Sequence, residues 1–141
     1  MSSFGRSEIT LGYWSIRGLG APLRMMIMAA DSITLNAVNY ELTLKPESTV
    51  SELKFDASDW FEKKPALKGI NPLMNLPYLI DGDTVVAQTN ACFTYLGRRL
   101  NMLGSNEKEL CQCEQLLCEI MDLRNKMVSI LFSALYRLYL L

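Results

Sequence analysis

Histidine is absent from all 141 residues. Its absence removes Ser-His-Asp and Cys-His catalysis, His-ligated zinc and any imidazole proton shuttle. A basic surplus is also missing: 14 Lys and Arg stand against 15 Asp and Glu. Such a balance leaves no basic surplus to neutralise phosphates, so nucleic acid is not an expected partner. No Cys-x-x-Cys pair occurs. The four cysteines (Cys92, Cys111, Cys113 and Cys118) all fall in stretches that read as helix. Neither a disulfide framework nor a metal site is expected from them. The longest apolar stretch, residues 127–141, is interrupted by Ser129, Ser133 and Arg137. It falls short of the roughly 20 residues a spanning helix needs, so no membrane span is expected. Residues 1–9 are polar and lack the apolar core of a signal peptide. Reduced thiols in a cytoplasmic setting are the expectation.

The rest is ordinary globular material, 50% apolar and 21% charged, with only eight glycines and five prolines. Collagenous, low-complexity and disordered classes drop out. Chemistry must then run on Tyr, Ser, Thr, Cys, carboxylates, Lys or Arg, or on a bound molecule.

Residues 9–14 (I-T-L-G-Y-W) form a short β-type run, and Gly18, Gly20 and Pro22 punctuate the chain after it. Pro22 suits a first helical turn. Leu23, Met26, Ile27 and Ala30 then share one face and predict a helix over residues 23–30. Residues 35–42 alternate as a second strand, and the polar residues 43–59 read as a loop excursion. Residues 60–67 read as a short helix or turn broken by Pro65 and Gly69. Residues 76–80 and 84–87 read as strands joined by the Asp81-Gly82-Asp83 turn, and Thr89 as the N-cap of a helix through residue 100. Apolar residues at Leu110, Cys113, Leu117, Ile120, Met127, Ile130 and Leu135 predict one helix of about 30 residues from Glu107 onward. Its stripe needs partner helices or another subunit.

The order β-α-β-(α)-β-β-α is the thioredoxin-like order, with Tyr13-Trp14-Ser15-Ile16 standing where that fold often carries Cys-x-x-Cys. Three strings combine with it: L-G-Y-W-S-I-R-G-L from Leu11, N-L-P-Y-L-I-D-G from Asn75, and Q-T-N-A from Gln88. In this order and spacing the chain resembles the cytosolic glutathione transferases, most like the mu class. The resemblance runs from about Thr10 to about Phe132. It implies an α/β fold in which residues 1–102 form a thioredoxin-like glutathione-binding domain. Residues 103–141 would begin an all-helical C-terminal domain, truncated after its first helix.

The resemblance also implies roles. Tyr13 is the hydroxyl donor to the glutathione sulfur; read alone, it is a strand-end tyrosine with its hydroxyl in water. Pro77 resembles a cis-proline that lets Leu76, next to Asn75, offer its N–H and C=O to the cysteinyl part; read alone, it is a trans proline at a strand start. Gln88 and Thr89, at a helix start, would take the γ-glutamyl carboxylate, and Thr89 serves equally as a plain N-cap. Trp60 and Lys64 match the residues that hold the glycyl carboxylate. Trp60 alone reads as a core aromatic, Lys64 as a solvated charge, and Lys63 could replace it. Trp14 and Leu19 line the same site or simply pack. Asp122 matches an aspartate that reaches into the site of a second subunit, or is an exposed charge beside Arg124 and Lys126. Two positions depart from the pattern: Ala57, where relatives often carry Arg, and Phe132, where mu-class proteins often carry a second tyrosine.

The expected function is transfer of glutathione thiolate to small apolar electrophiles. Glutathione serves as co-substrate, no cofactor or metal takes part, and the protein is a homodimer if the helical domain is complete. The alternative is a non-catalytic glutathione-transferase-like binding or scaffold protein. A thiol-disulfide oxidoreductase lacks the cysteine it would need near Tyr13.

Overall fold

The computed structural model describes residues 7–49 and 52–139, with side chains described through Leu131. Two compact units emerge, Met1–Leu42 with Ala57–Met102, and Thr43–Asp56 with Leu103–Leu141.

In the first unit β1 (Ser7–Trp14), α1 (Gly20–Met28) and β2 (Ile33–Tyr40) form a parallel βαβ. All eight residues of β1 pair with β2, from Ser7–Ile33 to Trp14–Tyr40. That pairing starts β2 two residues before the alternating pattern suggested, because the strand follows its neighbour's length. Helix α1 likewise starts earlier than its apolar run, at Gly20, and takes Pro22 into its first turn, where a missing N–H leaves no bond unmade.

The chain then leaves for a short hairpin of the second unit, β3 (Thr43–Leu44) and β4 (Phe55–Asp56). On its return α2 spans Ser58–Ile70 and runs through Pro65. The expected break is not there. Pro65 and Phe61, whose carbonyl loses its partner, are both exposed, so water can satisfy that carbonyl. Two antiparallel strands come next, β5 (Tyr78–Asp81) and β6 (Thr84–Ala87), closed by the Gly82-Asp83 loop with Gly82 at φ 57°. Helix α3 (Thr89–Arg99) completes the unit. Thr89 is its first residue, and Gln88, not Thr89, is the capping position.

The sheet order is β2-β1-β5-β6. Period-two alternation splits β1 between two cores. Ile9 and Leu11 point to α1 and α3, packing with Leu23, Ile27, Ile33, Leu79, Cys92 and Leu96. The opposite face carries Tyr40, Trp60, Met74, Tyr78 and Ala87 under α2. Gly12 sits on this second face, and a Cβ there would lie inside the Tyr78 ring. Tyr95 and Arg99 both bond Asp81, at 2.8 and 2.9 Å, and Arg99 also reaches Ser7 at 2.8 Å, tying α3 to β5 and β1.

In the second unit the stretch read as a loop holds the two-residue pairing of β3 with β4. The Ser48 hydroxyl steadies it, donating to the Lys54 carbonyl at 2.8 Å and accepting the Lys54 N–H at 3.0 Å. Helix α4 (Glu107–Tyr139) is a single 33-residue run. Leu110, Cys113 and Leu117 are half-buried, while Ile120, Met127 and Ile130 of the expected stripe are exposed, along with Leu116 and Leu123. No helix among the described residues is long and apolar enough to cross a membrane. Cys92 is buried and Cys111 and Cys118 are exposed, all as free thiols. Among the described residues no three His, Cys, Asp or Glu side chains gather as a metal site.

The two cores make testable demands. Gly12→Ala drives a methyl group into the Tyr78 ring and lowers stability by about 2 kcal/mol or more, read from urea unfolding. Burial pushes the Cys92 thiol up from 9.0 to about 12. It also pushes the Tyr78 phenol above its ordinary 10.0, with help from the Tyr40 hydrogen bond. Both groups are held neutral in the fold, so their contribution is full below the unfolded values and fades as pH climbs through the folded ones. The urea midpoint therefore falls between pH 9.0 and about 12, and Cys92→Ala makes that fall shallower; an equal slope in the variant removes Cys92 as a cause.

Candidate functional site

The ladder around β1 gathers the candidate residues at one end of the sheet. The β1–β5 register runs Thr10–Ile80, Leu11–Leu79, Gly12–Tyr78. One step beyond it come Tyr13 on one chain segment and Pro77 on the other, and then Trp14 and Leu76. The β5–β6 register ends at Tyr78–Ala87, and Gln88 and Thr89 come directly after. Tyr13, Leu76-Pro77 and Gln88-Thr89 thus form a row across three neighbouring segments. Strand ends are where such a sheet leaves backbone polar groups free for a ligand.

Tyr13 is 6% exposed. Its ring lies beneath the β1–α1 loop: a Cβ on Gly20 would stand 2.6 Å from Tyr13 Cδ1, and one on Gly18 2.7 Å from its Oη. The Leu19 N–H donates to Tyr13 Oη at 3.1 Å. One oxygen lone pair is occupied in this way and the phenolic proton stays available to a ligand. A hydroxyl that already accepts a bond is a stronger donor.

The Leu76–Pro77 bond is cis. Pro77 is buried, Leu76 half-buried and Asn75 exposed. Neither the N–H nor the C=O of Leu76 bonds another backbone group among the described residues. Gln88 is exposed and held at φ 75°, ψ 127°, a conformation L residues rarely adopt, where α3 begins. Backbone strain of this kind concentrates where chain geometry serves a ligand. The free N–H groups of the first α3 turn, with half-buried Thr89 among them, make an anion-attracting end.

Trp60 is 1% exposed and takes the core role. Its ring stacks on Tyr78 at 6.3 Å and meets Tyr40 and Trp14 edge-on at 5.1 and 6.5 Å. Tyr40 and Tyr78 join hydroxyls at 2.8 Å. Among the described residues no sealed side-chain nitrogen or oxygen lacks a partner. Lys64 Nζ stands over the Trp60 ring at 5.5 Å from its centroid. Lys63 lines a recess of about 360 Å³ together with Val38, Asn39, Tyr40, Asp59, Ala66 and Leu67. This recess contains none of the row's residues and is a separate feature.

Two further candidates belong to the second compact unit. Asp122 is exposed on α4 in the second compact unit. The Phe132 side chain lies outside the described residues. Conversely, sequence reasoning passed over Arg24, Asn39 and the Tyr40–Tyr78 pair. Arg24 is half-buried and bonds the carbonyls of Trp14 and Ile16, each at 3.3 Å, and Asn39 Oδ1 at 2.9 Å. The signal for it was present: it is the only charge in the apolar stretch 18–30.

A sheet of this order, α1 and α3 on one face, α2 on the other and a cis-proline ahead of β5, defines a thioredoxin-like unit. A family model described as the N-terminal domain of glutathione S-transferase matches residues 9–98. The chain belongs to the glutathione S-transferase family through that domain. It is 36% identical over 126 residues to glutathione S-transferase Mu 6 of Mus musculus, covering 89% of this chain and 53% of that one. To glutathione S-transferase Mu 7 of Rattus norvegicus it is 38% identical over 120 residues, 85% of this chain and 50% of that one. Among solved structures, the glutathione S-transferase Blo t 8 is similar with TM-score 0.68 and 27% identity, over 86% of this chain and 49% of that one. The Ascaris lumbricoides glutathione S-transferase gives 0.62 and 26%, over 88% and 51%. The chain spans about half the length of the curated relatives it matches.

If glutathione binds this chain with a carboxylate at the Trp60–Lys64 corner, Lys64→Met weakens that binding about tenfold, whereas Lys63→Met leaves it within about twofold. Titration calorimetry on both variants checks this, and equal losses would detach the corner from Lys64.

Proposed function

We propose that this chain binds glutathione along the row and that Tyr13 holds the sulfur as thiolate for attack on a small apolar electrophile. The observation that carries the reading is the Tyr13 hydroxyl, its oxygen fixed by the Leu19 N–H and its proton unspent. Leu76 pairs with the cysteinyl backbone as an added strand would. Gln88 and Thr89 take the γ-glutamyl carboxylate, and Trp60 and Lys64 the glycyl one. Trp14 and Leu19 flank the bound tripeptide beside Asn75 and the turn at Pro77. Asp122 meets the γ-glutamyl ammonium of a second copy in a homodimer. No cofactor or metal enters this scheme, and the setting is the cytosol.

The energetics set what Tyr13 must supply. A thiol with pKa near 8.5 is only about 3% ionised at pH 7. Lowering that pKa by about two units makes most of it thiolate and requires about 2.7 kcal/mol of differential stabilisation. One hydroxyl donor to a charged acceptor, in a site screened from water, is of that order. The thiol proton leaves to solvent. The sulfur then forms a bond to carbon, and a halide departs or the added carbanion takes up a proton.

Tyr13→Phe keeps the ring and removes the donor. Glutathione affinity should stay within about threefold while turnover of an aryl halide at neutral pH falls about 25-fold, as the thiolate fraction drops from most of the thiol to about 3%. The rate–pH profile should also move up by about two units. An unchanged rate would take Tyr13 out of the mechanism. Retention on immobilised glutathione without turnover, in the unaltered chain, would leave the binding function and overturn the catalytic one.

A further inference from the structure

We propose that Arg24 is a positioning residue for the Tyr13 phenol, acting through the β1–α1 loop; the inference rests on the reading of Tyr13 as sulfur donor. The orientation of the Tyr13 hydroxyl depends on the Leu19 N–H, and that N–H belongs to a stretch with no regular structure, residues 15–19. Something must hold the stretch still. Its ends are anchored by backbone bonds, Ser15 N–H to the Tyr40 carbonyl and Ala21 N–H to the Arg17 carbonyl, both 2.8 Å. Arg24 holds its start, at the junction with β1. Nη2 donates to the carbonyl of Trp14, the residue directly after Tyr13, and Nη1 to the Ile16 carbonyl, each at 3.3 Å. Nη2 also donates to Asn39 Oδ1 at 2.9 Å, which roots the guanidinium on β2.

The planar fork suits this task. It brackets two carbonyls and one amide oxygen at once, which a single ammonium cannot do in the same geometry. Among the described residues no carboxylate pairs with Arg24 in a salt bridge, so its charge is directed at loop carbonyls. The loop is also pressed close to the ring: neither Gly18 nor Gly20 has room for a Cβ above Tyr13. A small shift of the loop would therefore move Leu19 off the hydroxyl and let the hydroxyl rotate. Misplacement on the scale of an ångström near reacting atoms can cost one to two orders of magnitude in rate.

The test compares wild type, Arg24→Met, Arg24→Lys and Tyr13→Phe. Amide hydrogen exchange at Leu19 reads the loop without any ligand. Thiolate absorbance of bound glutathione against pH reads the donor, and kcat with KM reads the consequence. In Arg24→Met, Leu19 should exchange about tenfold faster or more. The bound thiol should titrate about one unit higher and kcat fall about tenfold, with KM for glutathione within about threefold. Arg24→Lys, which keeps the charge, should fall between. A lower melting temperature with unchanged Leu19 exchange and thiol titration would reduce Arg24 to a structural residue and overturn the proposal. Should wild type and Tyr13→Phe show the same thiol titration, the sulfur-donor reading fails on its own. Leu19 exchange in Arg24→Met then still decides whether Arg24 holds the loop.

Discussion

The central constraint is the hydrogen-bond ladder on both edges of β1. It is parallel to β2 over eight residues and antiparallel to β5 over three. Because register in a sheet is discrete, these ladders leave no freedom in which residues meet past their ends. Tyr13 falls beside the cis Leu76–Pro77 bond, and the β5–β6 ladder brings Gln88 and Thr89 into line. Everything proposed about the site depends on that alignment. A slip of one residue would send Tyr13 to the α2 face and Gly12 to the α1 face.

The two cores divide the work of holding this end. On the α1 and α3 side, aliphatic packing of Ile9, Leu11, Leu23, Ile27 and Leu79 buries one face of β1. On the α2 side the core is aromatic, with Trp60, Tyr40 and Tyr78 each in contact with the other two. Tyr78 occupies the space a side chain at Gly12 would fill, so one glycine and one tyrosine share a single position in the layer. The rings of Trp14 and Trp60 meet edge-on at 6.5 Å, so the aromatic core continues to the last residue of β1.

Electrostatics around the row are local. Net charge is close to zero, so no broad field steers a ligand. What is present is a set of single groups: the first turn of α3, the Lys64 ammonium over Trp60, and the Arg24 fork on the loop carbonyls. Each acts over a few ångströms and each is tied to a backbone element. Selectivity for a small zwitterionic peptide would come from their spacing and not from their sum.

The sequence by itself determined the order of the elements in the first unit, the turn at Gly82-Asp83, the long last helix and the strings that mark the family, because these depend on periodicity and on residue types at fixed offsets; it missed the short β3–β4 pairing. Tyr13, Leu76, Pro77, Gln88 and Thr89 were named through the resemblance those strings carry; read alone, each has a plain structural role at a strand or helix end. Three things were decided only by tertiary structure. The starts of β2 and α1 moved because pairing with β1 and the approach of Gly20 to Tyr13 outweigh local apolar patterning. Helix α2 passed through Pro65 because solvent, not sequence, receives the orphaned carbonyl. Arg24 and Asn39 came to act on the loop after Tyr13 because parallel pairing sets Tyr13 opposite Asn39, while a helix turn brings Arg24 back to the same place. Contacts between residues so far apart along the chain exist only once the sheet has formed, and no pattern in the string encodes their distances.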